Sequence, residues 1–202
     1  QIREDLTQYR DSIQYMWDQT VRGINKGLTI GEITEMVQLP EKYNNRYFTK
    51  QFYGLVEHHV RQIHNGLRGW FDGDEASLFP LPPSERAKKL INGFGGEKVV
   101  RDAINQAIKE EDLRWGLEMS TWLIRSQVND DGRCDSGTLE DREKLADVLR
   151  KIGQRTTSTN VRNWCLTRAL ELEGKLDISR FRKHRFSERQ ALNQPTEAFV
   201  HA

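Results

Sequence analysis

The chain is short of cysteine, has no long apolar run and carries no excess of either charge. Its two cysteines, Cys134 and Cys165, make no disulfide framework in 202 residues. Neither has a neighbouring cysteine at zinc-site spacing, so two unpaired thiols are expected. No apolar stretch approaches the ~18–20 residues of a membrane span, and no secretory signal peptide is visible. The chain begins at Gln1 rather than Met, so the expectation is a processed or excised piece without its targeting information. Lysine plus arginine total 31 against 30 for aspartate plus glutamate. That balance gives no global field to draw nucleic acid or a membrane surface. Aromatic residues do not interleave with a basic patch, so nucleic-acid binding is unsupported. Strict apolar–polar alternation is absent, which leaves no candidate β-strand. Gly93-Phe94-Gly95-Gly96 is too short for a phosphate loop and sits between helical patterns as a turn. No GxSxG elbow and no readable Cys/His pair is present.

What is there is helical spacing almost throughout. Leu6, Tyr9, Ile13, Met16, Trp17 and Ile24 form one stripe, ended by Lys26-Gly27. Thr29-Ile30-Gly31-Glu32 is a capping box, which predicts a short helix over 30–38 that Leu39-Pro40 stops. A polar, tyrosine-rich connector follows over 41–52. The next helix starts near Gly54, with Val56, Val60, Ile63 and Leu67 as its buried stripe. Ser84 is the expected N-cap of a helix ending at Gly93–Gly96, and 97–109 is a helix with Val100, Ala103, Ile104 and Ala107 inward. The helix over 112–127 shows two stripes, Leu113/Leu117/Ile124 and Trp115/Met119/Trp122, and should be buried on more than one side. Thr138 caps a helix over 139–152. A last one starts at 157–159 with Val161, Trp164, Cys165 and Leu172 inward. The fold class read from this is all-α, stacked helical hairpins of tetratricopeptide-like character with an N-terminal helical extension. Residues from 177 on lose the pattern. They carry Arg180, Arg182, Lys183, Arg185 and Arg189 against Asp177, Glu188 and Glu197, a basic tail expected to be extended unless a partner orders it.

Residues 69–83, GWFDGDEASLFPLPP, are the most distinctive run, holding three of the five prolines. A loop of this length is uncommon inside a compact domain unless functional or tightly packed. Trp70, Phe71, Leu78 and Phe79 predict an ordered strap, since each aromatic can bury roughly 150–250 Å². The surface it lies on is open at this point.

Histidines cluster only at His58, His59 and His64. No two are four residues apart, so they do not hold a metal from one helix face. Glu57, Arg61 and His64 share a face and read as an exposed ion-pair row. His59, three residues from Val56, reads as packed; His58 points away from the apolar stripe. Tyr53 stands before the helix start, where a phenol and free backbone N–H groups together suit an anion.

Several segments carry a family resemblance together: DSIQYMWDQTVRGINKGL (11–28) with the capping-box helix to Pro40, Phe52-Tyr53-Gly54-Leu55-Val56-Glu57-His58 as a YYG…H-like element, and the GWFDG…PLPP strap. Asp112-Leu113-Arg114-Trp115 and Arg162-Asn163-Trp164 complete the set. In this order and spacing they resemble the bacterial alkyl sulfatases of the metallo-β-lactamase fold. His59 and Asp74 stand where that family has asparagine, and Phe48 where it has a polar residue. The resemblance implies residues 1–53 as the end of a catalytic unit, 54–176 as an alkyl-sulfatase dimerisation domain and 177–202 as a tail or linker. It implies that Tyr53 and His58 lie near a sulfate pocket, where a phenol can hydrogen-bond a sulfate oxygen or the leaving alkoxide. It implies zinc in an associated catalytic domain; the family's HxHxDH motif is absent here, so no metal and no catalytic residue is assigned to this chain.

The expected function is therefore a dimerisation and accessory module of a zinc-dependent alkyl sulfatase, not catalytic alone. Its expected partners are a second copy and a metallo-β-lactamase-fold catalytic domain in cis or in trans, with Trp70, Phe71 and Phe79 in the interface. The compartment stays open between bacterial cytoplasm and periplasm. The alternatives are a stand-alone helical-repeat adaptor binding a peptide along 97–173, and an autonomous hydrolase using Tyr53 and His58.

Overall fold

A computed structural model describes residues 1–44, 46–130, 132, 134–178 and 193. Its secondary structure is helical, without strands, among these residues. The protein is all-α. The basic tail lies outside the described residues, except for its first two positions and Asn193.

The N-terminal part starts with α1 (Ile2–Asn25), whose first turn carries Glu4 and Asp5 and whose last turn carries Arg22, each charge set against the helix dipole it faces. α2 (Ile30–Met36) opens on the expected capping box. The Thr29 hydroxyl accepts from the Glu32 amide at 3.3 Å, and the Glu32 carboxylate accepts from the Thr29 amide at 2.7 Å. The Thr29 amide, and then the Thr29 hydroxyl donating to the same carboxylate at 2.8 Å, hold the Glu32 carboxyl below the usual carboxylate range. The tyrosine-rich connector becomes α3 (Glu41–Asn44) and a 3-10 turn (Tyr47–Thr49). α4 (Val56–Arg68) then packs against α1 and α2. One core joins them: Met16, Ile33, Val37, Leu39, Tyr43, Val56 and Val60. Packing thus groups α4 with the segment before it.

The strap over 69–83 is ordered, but polar groups order it. The Asp72 carboxylate accepts from the Asp74 amide and the Ser77 hydroxyl, and Asp74 caps the 3-10 turn Glu75–Ser77. The Asp74 amide and then Ser77 hold the Asp72 carboxyl below its usual range. The Asp72 carbonyl accepts from the Ile30 amide at 2.9 Å, which ties the strap to the start of α2. Gly73 has φ +90°, and a Cβ there would come within 3.2 Å of the Thr29 backbone. Only glycine fits that approach. Two of the strap's aromatics are not buried among the described residues, against the packing expected from the sequence: Trp70 is 75% and Phe79 93% exposed. Phe71 is half-buried, its ring 5.6 Å from that of Trp70.

The rest is a stack: α5 (Pro83–Phe94), α6 (Glu97–Lys109), α7 (Leu113–Arg125), α8 (Leu139–Arg155) and α9 (Thr159–Leu172). Ser84 is not the cap of α5. Pro82 holds that position, and the Ser84 hydroxyl donates to the Ser126 carbonyl. α7 lies in the middle, as its two stripes require. Met119, Trp122 and Leu123 join Ile91, Val100 and Ile104 in one cluster, and Ile124 joins Leu145, Leu149, Cys165 and Leu172 in another. Both cysteines are free thiols. Asp141 is buried yet ionised: its carboxylate takes the Arg101 guanidinium at 2.7 and 3.0 Å and caps α8 with Thr138. Burial pushes its pKa up most strongly, but the Arg101 and Thr138 hydrogen bonds together outweigh it and leave the group below its ordinary value. Trp164, read as inward, is exposed; α9 buries Cys165, Ala169 and Leu172 instead.

Candidate functional site

An apolar groove of about 630 Å³ opens between α1, the 3-10 turn and the start of α4. One wall is the outer face of α1, with Tyr9, Ile13 and Trp17. The other is Tyr47, Phe48, Phe52, Tyr53 and Ile63. A smaller hollow of about 250 Å³ continues it along Ile2, Leu6, Tyr9 and Phe48. The α1 stripe expected to be buried is therefore split. Met16 enters the core, whereas Leu6, Tyr9, Ile13 and Trp17 stay exposed along the groove. The cause is the width of the stripe, which spans more than one partner can cover. Phe48, Phe52 and Tyr47 make an aromatic rim, with Tyr47 centroids 5.4 Å from Phe48 and 5.9 Å from Phe52.

Tyr53 stands in the groove wall, 75% exposed. Of the amides that open α4, that of Val56 already donates to the Gln51 side chain at 2.8 Å. A Cβ at Gly54 would stand 2.8 Å from His59 Nε2, so the His59 ring rests against the bare backbone there. His59 is a groove residue with an open edge. Partial desolvation, then the neighbouring His58, push its imidazole below the ordinary histidine range, so it stays neutral to lower pH.

His58 is solvent-facing and does not line the groove; its Nε2 lies 3.8 Å from the Glu57 carboxylate. Glu57 does not pair with Arg61 along its own helix. It is held by Arg114 of α7, Nη1 to Oε2 at 3.0 Å and Nη2 to Oε1 at 3.1 Å. His64, placed on the same exposed row by the sequence reading, is 3% exposed. Val56, Val60 and His64 are spaced i, i+4, i+8 and enter the core side together; its polar character misled the assignment.

The groove wall is fastened to the helical stack by a polar seam invisible in the sequence. Thr157 Oγ1 donates to the Gln51 carbonyl at 3.0 Å. Thr159 donates twice to the Phe52 carbonyl, from its amide at 2.7 Å and its hydroxyl at 2.8 Å. Ser158 Oγ donates to the Tyr53 carbonyl at 2.8 Å while capping α9. The capping residues Ser158 and Thr159 were legible as a helix start; their second task was not, because backbone carbonyls leave no side-chain pattern.

Among the described residues, no group of three or more His, Cys, Asp or Glu is placed to hold a metal ion. The described side chains therefore offer no zinc site. No described helix is long and apolar enough to cross a membrane.

Comparison with known proteins adds to this geometry. The family model described as Alkyl sulfatase dimerisation matches residues 29–175. A linear primary-alkylsulfatase of Pseudomonas sp. is 41% identical over 177 residues, covering 87% of this chain and 32% of that protein. An alkyl/aryl-sulfatase, BDS1, of Saccharomyces cerevisiae is 31% identical over 171 residues, covering 85% of this chain and 25% of its own length. The solved stereoselective inverting sec-alkylsulfatase Pisa1 from Pseudomonas sp. superposes with a TM-score of 0.75 at 27% identity, over 86% of this chain and 26% of that one. The chain thus spans about a third or less of the length of these curated relatives.

Proposed function

The chain belongs to the alkyl sulfatase dimerisation family, and from that premise we propose that it is the dimerisation and accessory module of an alkyl sulfatase, non-catalytic by itself. The observation that carries this is the family match over 29–175 beside a large apolar groove that none of the described residues covers. A monomeric soluble protein rarely leaves so continuous an apolar surface open without a binding role. Its relatives are about three times as long, so polypeptide of the right kind to cover it accompanies the same module elsewhere.

In this reading a zinc-bearing catalytic unit of the metallo-β-lactamase fold lies over the groove, in cis or as a separate chain. It holds the metal and activates water. This chain supplies a wall from which Tyr53 faces the sulfate end of an alkyl sulfate ester, and His58, on the solvent side of α4 outside the groove, meets the ester where the catalytic unit carries the pocket past that wall. A phenol and an imidazole are suited to hydrogen-bond a sulfate oxygen or the leaving alkoxide. The second partner is another copy. Trp70, Phe71 and Phe79 on the strap are the proposed contact, because rigid aromatics exposed on an ordered loop suit an interface core. Obligate interfaces of this type bury upwards of ~2,000 Å² in total.

The test is sedimentation velocity on the polypeptide that carries this chain in its native context, with dodecyl sulfate hydrolysis measured on the same sample. A dimer that releases sulfate is expected. A monomer at micromolar concentration, or a dimer with no sulfate release, rejects the proposal. Trp70→Ser with Phe79→Ser should shift the dimer to monomer at low micromolar concentration.

A further inference from the structure

The helical stack α5–α9 grips the Tyr53–His58 element at both of its ends. At the first end, four hydrogen bonds run from Thr157, Ser158 and Thr159 to three successive carbonyls, Gln51, Phe52 and Tyr53. Ser158 is fully buried, at 0% exposure, and its hydroxyl is used twice, as donor to Tyr53 and acceptor from the Val161 amide at 3.4 Å. At the other end Arg114 holds the Glu57 carboxylate through both oxygens, next to His58. Between these points lie only Gly54, Leu55 and the first residue of α4, whose amide is fixed by Gln51.

The chemistry of the grip matters. The groove around this element is apolar, and apolar contact is non-directional, so it leaves a segment free to slide. Hydrogen bonds to carbonyls have narrow distance and angle limits and set position instead. A doubly held carboxylate adds the same kind of constraint, because a guanidinium fork meets both oxygens only in one plane. The donors sit on α7 and at the start of α9, in the part of the chain that stacks helices rather than in the part that forms the groove.

We infer that Ser158 and Arg114 are positioning residues: the helical stack sets where Tyr53 and His58 stand, so the family's dimerisation module also fixes the geometry of the site. The catalytic consequence rests on the proposal that Tyr53 and His58 face substrate. As positioning residues, Ser158 and Arg114 act through Tyr53 and His58 rather than on the substrate.

The experiment uses the full-length enzyme carrying this chain. It measures kcat and KM for dodecyl sulfate, sedimentation, and hydrogen exchange at the Val56, His58 and His59 amides. Ser158→Ala should lower kcat on the order of tenfold, with KM within about twofold and the dimer retained, because small misplacements of positioned groups cost rate before affinity. Exchange at the three amides should rise severalfold while the α6 amides stay unchanged. Ser158→Thr, which keeps the hydroxyl, should restore most of the rate. Arg114→Gln, at a side chain 85% exposed, folds without difficulty and should lower kcat by about threefold. Wild-type kcat and wild-type exchange in both Ser158→Ala and Arg114→Gln overturn the inference, even if Tyr53→Phe and His58→Asn each reduce turnover. If Tyr53→Phe and His58→Asn leave turnover unchanged, the substrate reading fails and the catalytic consequence with it. A local rise in exchange in Ser158→Ala then upholds the grip, and its absence removes that as well.

Discussion

Residues 1–82 and residues 83–175 are made of the same material, amphipathic helices with apolar stripes, yet they end in different states. The stack α5–α9 closes on itself: α7 gives one stripe to Ile91, Val100 and Ile104 and another to Leu145, Leu149 and Cys165. Its charges are also settled inside the chain, with Asp141 buried against Arg101 and capping α8. The N-terminal part buries one stripe of α1 and α4 around Ile33 and Val60, and leaves a second stripe open along the groove. Its strap is held by carboxylates and an amide while Trp70 and Phe79 project outward. The difference teaches where this chain is finished and where it awaits another surface. A helix with two apolar stripes needs two neighbours. α7 has both and α1 has one.

The comparison can be broken in four places. Ile104→Ala in the closed stack should cost about 4 kcal/mol by denaturant unfolding, the order seen for cavities that cannot collapse. A loss under 1 kcal/mol would mean that the stack is loosely packed. Asp141→Asn should cost about 3 kcal/mol, because it removes the buried one of Arg101's two carboxylate partners and leaves only the more exposed Glu97. The same pair predicts an acid limb. The Asp141 carboxyl sits below its ordinary value, so the stability it contributes is full above about pH 4 and is lost as pH falls through its lower native value. Unfolding midpoints measured from pH 5 down to pH 2 should show this decline in the parent and a shallower one in Asp141→Asn. Thr29→Ala removes the cap of α2 beside the strap and should cost about 1 kcal/mol. It should also raise exchange at the Ile30 amide, which the Asp72 carbonyl accepts. Last, Phe48→Ser in the open groove should change the unfolding free energy of this chain by no more than about 0.5 kcal/mol. A cost above 1.5 kcal/mol would show that the groove is closed from within, and the contrast between the two parts would fail.

Much of the helical framework was legible. The Thr29 box and the Thr138 cap marked two helix starts, and Asp112 and Ser158 stand at two more. The double stripe of α7 announced burial on two sides, and it is buried on two sides. Two of the differences share one cause. Trp164 was drawn inward because it is large and apolar, although it sits about 100° around the helix from Cys165. His64 was drawn outward because it is polar, although it continues the Val56–Val60 row. In both cases side-chain character was set above helical phase. The groove was only partly legible: Tyr53 was singled out as a site residue, but Phe48 and Trp17 as its walls were not. The seam from Thr157–Thr159 to residues 51–53 left no trace, since its acceptors are main-chain carbonyls more than a hundred positions away.

By itself the sequence determined that the chain is helical, where its helices start, and which irregular run, GWFDG…PLPP, ties it to its family. It did so because caps, glycine turns and apolar periodicity act within a few residues of one another. Tertiary structure alone decided which stripe of α1 is covered, that the strap turns its aromatics outward, and that the stack holds Tyr53 and Glu57 in place. An amphipathic pattern states that a face needs a neighbour but not which one, and a carbonyl carries no identity until the fold brings a donor to it.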